Sequence, residues 1–212
     1  MKKMVSIASS ILVVLLLLMV GNGDASTLNI GGNFSSIHGI ENGSPVTVGG
    51  GSIDTSFLDG RQLPYLYCVG LFTNINVPGT YFATVNNLGT GITNATQIAY
   101  LLGKYGISGI GAQAVALQAA IWHEEYGSQF VLDTATSDST VIALYTAYLS
   151  DAAANGSSGV VGNFDWINPV DGNNNALQAL VTSVPEPGTM MLLGVGVLGL
   201  AVFGKRRRNN KV

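Results

Sequence analysis

Two uncharged apolar runs, one near each end of the 212-residue chain, most constrain what this sequence can fold into. The first run, residues 11–20, follows two lysines and precedes the small residues Gly23 and Ala25. A basic start, a short apolar stretch and small residues before a cleavage point are typical of a secretory signal peptide. A retained anchor is the alternative, but the run is too short to span a bilayer. We therefore assign residues 1–25 as a signal peptide and expect the mature protein to be exported.

The second apolar run, residues 188–204, is followed by a basic cluster at residues 205–208. Its length is close to the minimum that crosses the hydrocarbon of a membrane, and the positive charges would keep that end cytoplasmic. Just before it stand Pro185, Glu186 and Pro187, and the two prolines keep this stretch extended and free of helix. An extended stretch is what the cleft of a processing enzyme requires.

Taken together, these three parts resemble the PEP-CTERM sorting signal of Gram-negative bacteria. The resemblance implies a sorting signal at residues 184–212, with a transmembrane segment at residues 188–204 that anchors the chain in the inner membrane before processing. It also implies recognition by an exosortase, which acts near Pro185, Glu186 and Pro187. Delivery to the cell surface or the extracellular matrix would follow.

Between the two ends lie residues 26–183, a length that suits one domain. This core carries ten acidic side chains and only two basic ones, Arg61 and Lys104, so its formal charge is −8. Such a surface repels nucleic acid and anionic lipid, and we expect no nucleic-acid partner. Two histidines and one cysteine are too few for a zinc site, so we expect no metal and no cofactor.

The order of patterns in the core predicts an α+β fold, because strands come first, then helices, then strands again. We expect a β-rich subdomain, from strands before about residue 88 and after about 160, and a small helical subdomain. The predicted strands are residues 28–30, 46–48, 65–72, 81–85 and 160–170, with a short closing element at 176–181. Gly-rich connections such as residues 49–51 are expected to join them. The predicted helices are residues 94–106, with Asn94 and Gln97 as a capping box, then 110–126 and 139–153, capped by Ser137 or Asp138.

Cys68 is the single cysteine of the chain, so it cannot form an intramolecular disulfide. In an oxidising compartment it could be a buried small hydrophobe, half of an intermolecular bridge, or a reactive group. Strand alternation places Gly70 on the same face, which would leave room for something to approach the sulfur.

Gln118 interrupts the apolar stripe of the second helix. Its neighbours at three and four residues include Ala114, Ile121 and Trp122, so the amide is expected to face inward. Gln113, five residues upstream, points about 140° away and is the weaker candidate for a role in chemistry.

The stretches Tyr67-Cys68-Val69 and Gln118-Ala119-Ala120-Ile121-Trp122 resemble the thioester domains of bacterial surface adhesins. In that family the cysteine follows an aromatic residue and the glutamine lies in a helix motif similar to Thr-Gln-x-Ala-Ile-Trp. Residues 98–102 also look like the family's intervening helix. The chain departs from the family at Gly70, where many members carry aspartate, and at Leu117, where many carry threonine.

The resemblance implies a thioester between the sulfur of Cys68 and the side-chain carbonyl of Gln118, formed with loss of ammonia. An amine on a surface or matrix partner would attack it once, for adhesion or cross-linking of a biofilm matrix, so the protein would not be an enzyme. His123 is a candidate assisting base. Two alternatives stay open: a non-reactive structural matrix protein, and a Cys/His acyl-transfer enzyme.

Overall fold

The structure, a computed structural model, describes residues 25–184. The assigned signal peptide, except for Ala25, lies outside the described residues, as do the Pro-Glu-Pro motif and the predicted membrane segment. Among the described residues the strands are β1 (Ser26–Ile30), β2 (Asn33–Glu41), β3 (Ser44–Asp54), β4 (Phe57–Leu58), β5 (Arg61–Gln62), β6 (Tyr67–Cys68), β7 (Gly79–Asn86), β8 (Phe130–Leu132), β9 (Phe164–Val170) and β10 (Leu180–Ser183). The α-helices are α1 (Ala95–Tyr105), α2 (Ala112–Tyr126) and α3 (Ser139–Asn155).

The larger sheet is curled, has seven strands and runs in the order β5-β4-β1-β7-β9-β10-β6. β6 is therefore an edge strand, and its only partner in this sheet is β10, through the pairs Cys68 with Leu180 and Tyr67 with Val181. The strand that carries the cysteine is thus held in place by the last strand of the described chain.

The smaller sheet has the order β3-β2-β8. β2 and β3 form a hairpin around Asn42 and Gly43, both of which have positive φ angles, 49° and 82°. Asn-Gly with this backbone is the preferred two-residue hairpin turn, because its twist matches that of the strands. β2 lies outside the predicted strands, although this dipeptide is a signal for a hairpin.

The mixed architecture with three helices confirms the coarse prediction of an α+β fold. Strands and helices share one hydrophobic core, which includes Leu28, Trp166, Leu101 and Trp122. Helix α2 is apolar nearly all round, with every residue from Ala116 to Trp122 buried, as expected for a helix enclosed on all sides. No helix in residues 25–184 has the length and apolar character needed to cross a membrane.

Three local predictions were wrong. Asn94 does not cap α1 with its side chain; it has a φ of 50°, and its amide donates to the Glu124 carbonyl on α2 instead. The predicted strand at residues 65–72 pairs regularly only at Tyr67–Cys68, because one carbonyl, that of Ala179, takes both following N–H groups. Residues 49–51, predicted as a connection, lie inside β3.

Other boundaries agree closely. Helix α3 begins after Asp138, whose carboxylate accepts a hydrogen bond of 2.7 Å from the Thr140 N–H, as predicted for a cap. The strand predicted from residue 160 begins at Phe164, after a short 3-10 turn at Val161–Asn163. The closing strand lies at Leu180–Ser183 rather than at residues 176–181.

Candidate functional site

The fold places Cys68, on edge strand β6, directly against Gln118, in the middle of α2. The two residues are 50 positions apart in the chain, and both are buried, with exposed fractions of 2% and 0%. Gln118 is one of few buried polar side chains among the described residues. The structure therefore brings together the two residues that the sequence analysis selected.

Two reciprocal hydrogen bonds hold the Gln118 side chain against the main chain of Cys68. The Cys68 N–H donates to Gln118 Oε1 at 2.9 Å, and Gln118 Nε2 donates to the Cys68 carbonyl at 2.6 Å. Because a main-chain N–H can only donate and a carbonyl can only accept, this pairing fixes which way the amide faces.

The Cys68 N–H is also a candidate oxyanion donor. A main-chain donor at 2.9 Å from an amide oxygen is the kind of group that stabilises an oxyanion when a nucleophile adds to the carbonyl carbon. Sequence reasoning could not locate such a donor, because every residue except proline carries a main-chain N–H. The geometry supplies it from the same residue that carries the thiol.

Burial governs the acidity of the Cys68 thiol. Desolvation disfavours the thiolate and raises the pKa of Cys68 to about 12, so the sulfur keeps its proton at neutral pH. A protonated, buried thiol is protected from oxidation and from unwanted alkylation. Any chemistry at this sulfur needs its proton to be transferred in the course of the reaction.

A cavity of about 330 Å³ opens onto Cys68. Every residue that lines it is uncharged: Phe34, Thr47, Val48, Gly49, Gly50, Ile53, Cys68, Leu71, Asn74, Ile75, Val77, Trp122 and Gln178. Phe34 is the most prominent apolar group among these, since nearly half of its surface is exposed. The cavity thus offers an uncharged approach to Cys68.

Gly50 of β3 allows α2 to approach this closely. A Cβ atom at Gly50 would lie 2.8 Å from Gln118 Cγ and from Ile37 Cδ1, and 2.9 Å from Trp122 Cη2. Contacts of that length are shorter than real side chains tolerate, so a larger residue would push the helix or the Gln118 side chain away. The absence of a side chain at position 50 is therefore part of the site.

Gly70 has a different role from the one predicted. The space beside it is filled by the chain before β10: a Cβ there would lie 3.0 Å from the Ala179 nitrogen. The Gly70 N–H also donates to the Ala179 carbonyl, at 3.1 Å. The open approach to Cys68 comes from β3 and α2 instead, through the cavity.

His123 lies elsewhere. Its Nδ1 is 3.0 Å from the carbonyl oxygen of Phe130, its ring packs edge-on against Tyr145, and it does not line the cavity. Gln113 is exposed on α2, and His38 contacts the Thr47 hydroxyl. Within residues 25–184, no three His, Cys, Asp or Glu side chains are grouped so that they could hold a metal ion.

Comparison with known families identifies the C-terminus. The PEP-CTERM protein-sorting motif matches residues 183–208, which confirms the sorting signal predicted there. Such motifs mark proteins that are exported, recognised by an exosortase and sorted to the cell surface of Gram-negative bacteria. No curated protein and no solved structure matches the chain. The thioester resemblance therefore rests on the residues and on the geometry around Cys68 and Gln118.

Proposed function

We propose that this exported, exosortase-sorted protein carries an internal thioester between Cys68 and Gln118 and uses it to attach covalently to an amine on a partner. The observation that supports the proposal most is the pair of hydrogen bonds that holds the Gln118 amide on the main chain of Cys68. A free amide is a poor acyl donor, and holding reactants together can supply roughly 7 to 11 kcal/mol of the barrier.

Formation of the bond balances as an acyl transfer. The Cys68 sulfur adds to the Gln118 side-chain carbonyl carbon, and negative charge develops on Oε1, where the Cys68 N–H donates. The C–N bond then breaks, and ammonia leaves with the proton that the thiol gives up. No oxidant or cofactor takes part. The cross-link would close a loop of 50 residues and add on the order of 4 kcal/mol of stability.

In the second step an amine attacks the thioester, and the Cys68 sulfur becomes the leaving group. The nitrogen adds to the same carbonyl carbon, the C–S bond breaks, and the sulfur recovers a proton as a stable amide forms. Because the amide cannot return to the thioester, each molecule reacts once. The formal charge of −8 on the core would favour encounters with cationic, amine-bearing surfaces.

A structural matrix protein is the second candidate, and one observation favours it. The Gln118 amide is fully paired with the Cys68 main chain and the thiol is protonated, as in an inert, well-satisfied core. An acyl-transfer enzyme has less support, since it needs a base at the thiol and His123 is engaged with Phe130 and Tyr145.

Intact mass of the protein purified after export tests the proposal. The thioester predicts a mass one ammonia below the sequence mass, no free thiol, and a Cys68→Ala variant of full mass. Gln113→Ala, on the exposed part of the same helix, is the matched control and should keep the mass deficit. Full mass together with a titratable thiol and an intact Gln118 amide would contradict the proposal and favour the structural candidate.

Methylamine supplies a second measurement. It should be incorporated once per molecule, at position 118, and not at all in Cys68→Ala. Repeated turnover with excess amine would contradict single-use chemistry and favour the enzyme. A carboxyl group in place of the Gln118 amide would show that the thioester formed and was then hydrolysed, which supports the proposal.

A further inference from the structure

Gln178 lies in the cavity beside Cys68, although sequence patterns gave it no role. It precedes β10 and is buried, with 9% of its surface exposed. Thr47 and Asn74, the other lining residues with hydroxyl or amide side chains, are both exposed. Gln178 is therefore the buried polar side chain that lines the approach to the sulfur.

The contacts of Gln178 fix its orientation. Its Nε2 donates to the Gly70 carbonyl at 2.6 Å, and the next residue, Ala179, accepts hydrogen bonds from Val69 and Gly70 at 2.7 and 3.1 Å. Since a carbonyl can only accept, the amide nitrogen of Gln178 must face Gly70. Its Oε1 has no hydrogen-bond partner among the described residues, and it is not among the polar atoms sealed from solvent.

Aminolysis needs an acceptor for an N–H of the amine, and Gln178 lines the same cavity as Cys68. When a neutral amine adds to a thioester carbonyl, positive charge develops on its nitrogen, and an oxygen that accepts one N–H stabilises it. The cavity has no charged lining residue, and desolvation there favours the neutral amine over the ammonium ion. A neutral amide oxygen can accept this N–H without itself gaining or losing a proton.

We propose that Gln178 is an amine-positioning residue: it anchors the chain after Cys68 through Gly70 and presents Oε1 to the N–H of the incoming amine. This proposal rests on the proposed thioester and assigns a residue to its second step. The same residue would leave the first step, thioester formation, unaffected, because Gln118 is held by Cys68 and not by Gln178.

The test compares Gln178→Met, which keeps the length of the side chain and removes both hydrogen bonds, with Gln113→Met as the exposed control. Both variants should show the mass deficit of one ammonia. The rate of methylamine incorporation should fall about tenfold in Gln178→Met only, which corresponds to one lost hydrogen bond. An unchanged rate with an intact thioester would overturn the proposal. Loss of the thioester together with loss of the fold would also overturn it, because that result indicates a purely structural role.

Gln178→Glu adds a readout whose sign separates the two roles. The ionised carboxylate can accept the amine N–H but cannot donate to the Gly70 carbonyl, whereas the protonated form can donate to it. If Gln178 positions the amine, the rate of incorporation per neutral methylamine should rise as the new carboxyl group ionises; a rate that falls there, together with loss of the mass deficit, would indicate a purely structural role and overturn the proposal. Wild-type protein should follow the titration of methylamine alone. A profile identical to that of the wild type would overturn the proposal. Wild-type protein of full mass with a free thiol would instead overturn the proposed function, and this inference with it.

Discussion

The site at Cys68 and a polar cluster on α1 and α3 differ in charge and in exposure to water. In the cluster, Asp151 accepts hydrogen bonds from Lys104 at 2.6 Å, from Tyr100 at 2.9 Å, and from Tyr105 and Asn155. These partners lower the pKa of Asp151, so that the cluster keeps its charge on a face open to water. Charge is thus concentrated where solvent and partners support it.

The Cys68 site, by contrast, is buried and its cavity has no charged lining residue. A charged group at the cavity would attract water, which would hydrolyse the proposed thioester before an amine could react with it. The domain thus keeps its charged, stabilising cluster around Asp151 apart from the site of the proposed chemistry. Four predictions test that separation, beginning with the largest effect.

The thiol should be nearly inert in the folded protein when no thioester can form. Gln118→Met fills similar space and has no side-chain carbonyl that could acylate the Cys68 thiol. With the Cys68 pKa near 12, its thiolate fraction at neutral pH is about three thousandfold below that of an ordinary thiol, so alkylation should slow accordingly. The rate with iodoacetamide should rise about tenfold per pH unit up to pH 10. Equal rates in native and denatured protein would show that the site is open to water.

Gly50→Val should disturb the site by overpacking. The added atoms meet Gln118, Ile37 and Trp122 at less than 3 Å, so we expect a loss of about 1 to 3 kcal/mol in the free energy of unfolding. The fraction of molecules with the mass deficit should fall with it, because the Gln118 side chain is displaced from Cys68. Gly172→Val, where a Cβ meets nothing within 4 Å, is the control and should change neither quantity.

Glu125→Gln should stabilise the protein at high pH. Burial raises the pKa of Glu125 to about 7, above its value in the unfolded chain, so the wild type loses stability as the pH rises from about 4.5 through 7. The variant lacks this loss and should be more stable by about 1 kcal/mol at pH 8, a value kept small because the Glu125 side chain is only partly buried. Denaturant titrations at pH 4 and pH 8 measure the difference in the free energy of unfolding between the variant and the wild type. An equal difference at both pH values would contradict the raised pKa of Glu125.

Asp151→Asn should have the smallest effect. Because the folded-state pKa is lowered, the carboxylate stabilises the protein above about pH 4, and this contribution is lost as the pH falls through the folded value. The melting temperature of the variant should therefore be lower than that of the wild type at pH 7, and the gap should close in acid. Methylamine incorporation should be unchanged; a lower rate would show that the two regions are coupled.

The sequence predicted the helices better than the strands. Helices α2 and α3 agree with the predicted ranges to within two residues, because long apolar patterns with clear stops are strong signals. The capping box at Asn94 failed because its amide found the Glu124 carbonyl of another helix, a tertiary contact that no local pattern encodes. β6 is two residues long because its edge meets an irregular partner at Ala179.

The site shows the same limit. The contact between Cys68 and Gln118 could be predicted from sequence because both residue types are unusual where they stand and because the resemblance to thioester domains paired them. Gln178 was not, since its position follows from how β10 docks on β6, 110 residues after the cysteine. Gly50 was misjudged as part of a loop because close helix packing onto a glycine-containing strand has no local signature.

The position of β10 also has a mechanical meaning. Its last residue, Ser183, begins the sorting motif, so any force applied through that signal would enter the domain at this strand. β10 pairs with β9 on one side and with the cysteine-bearing β6 on the other, antiparallel to both. A pull along the strand shears these ladders together instead of opening them one bond at a time. Because β10 is paired with β6, a force applied through the sorting signal would load the strand that holds Cys68.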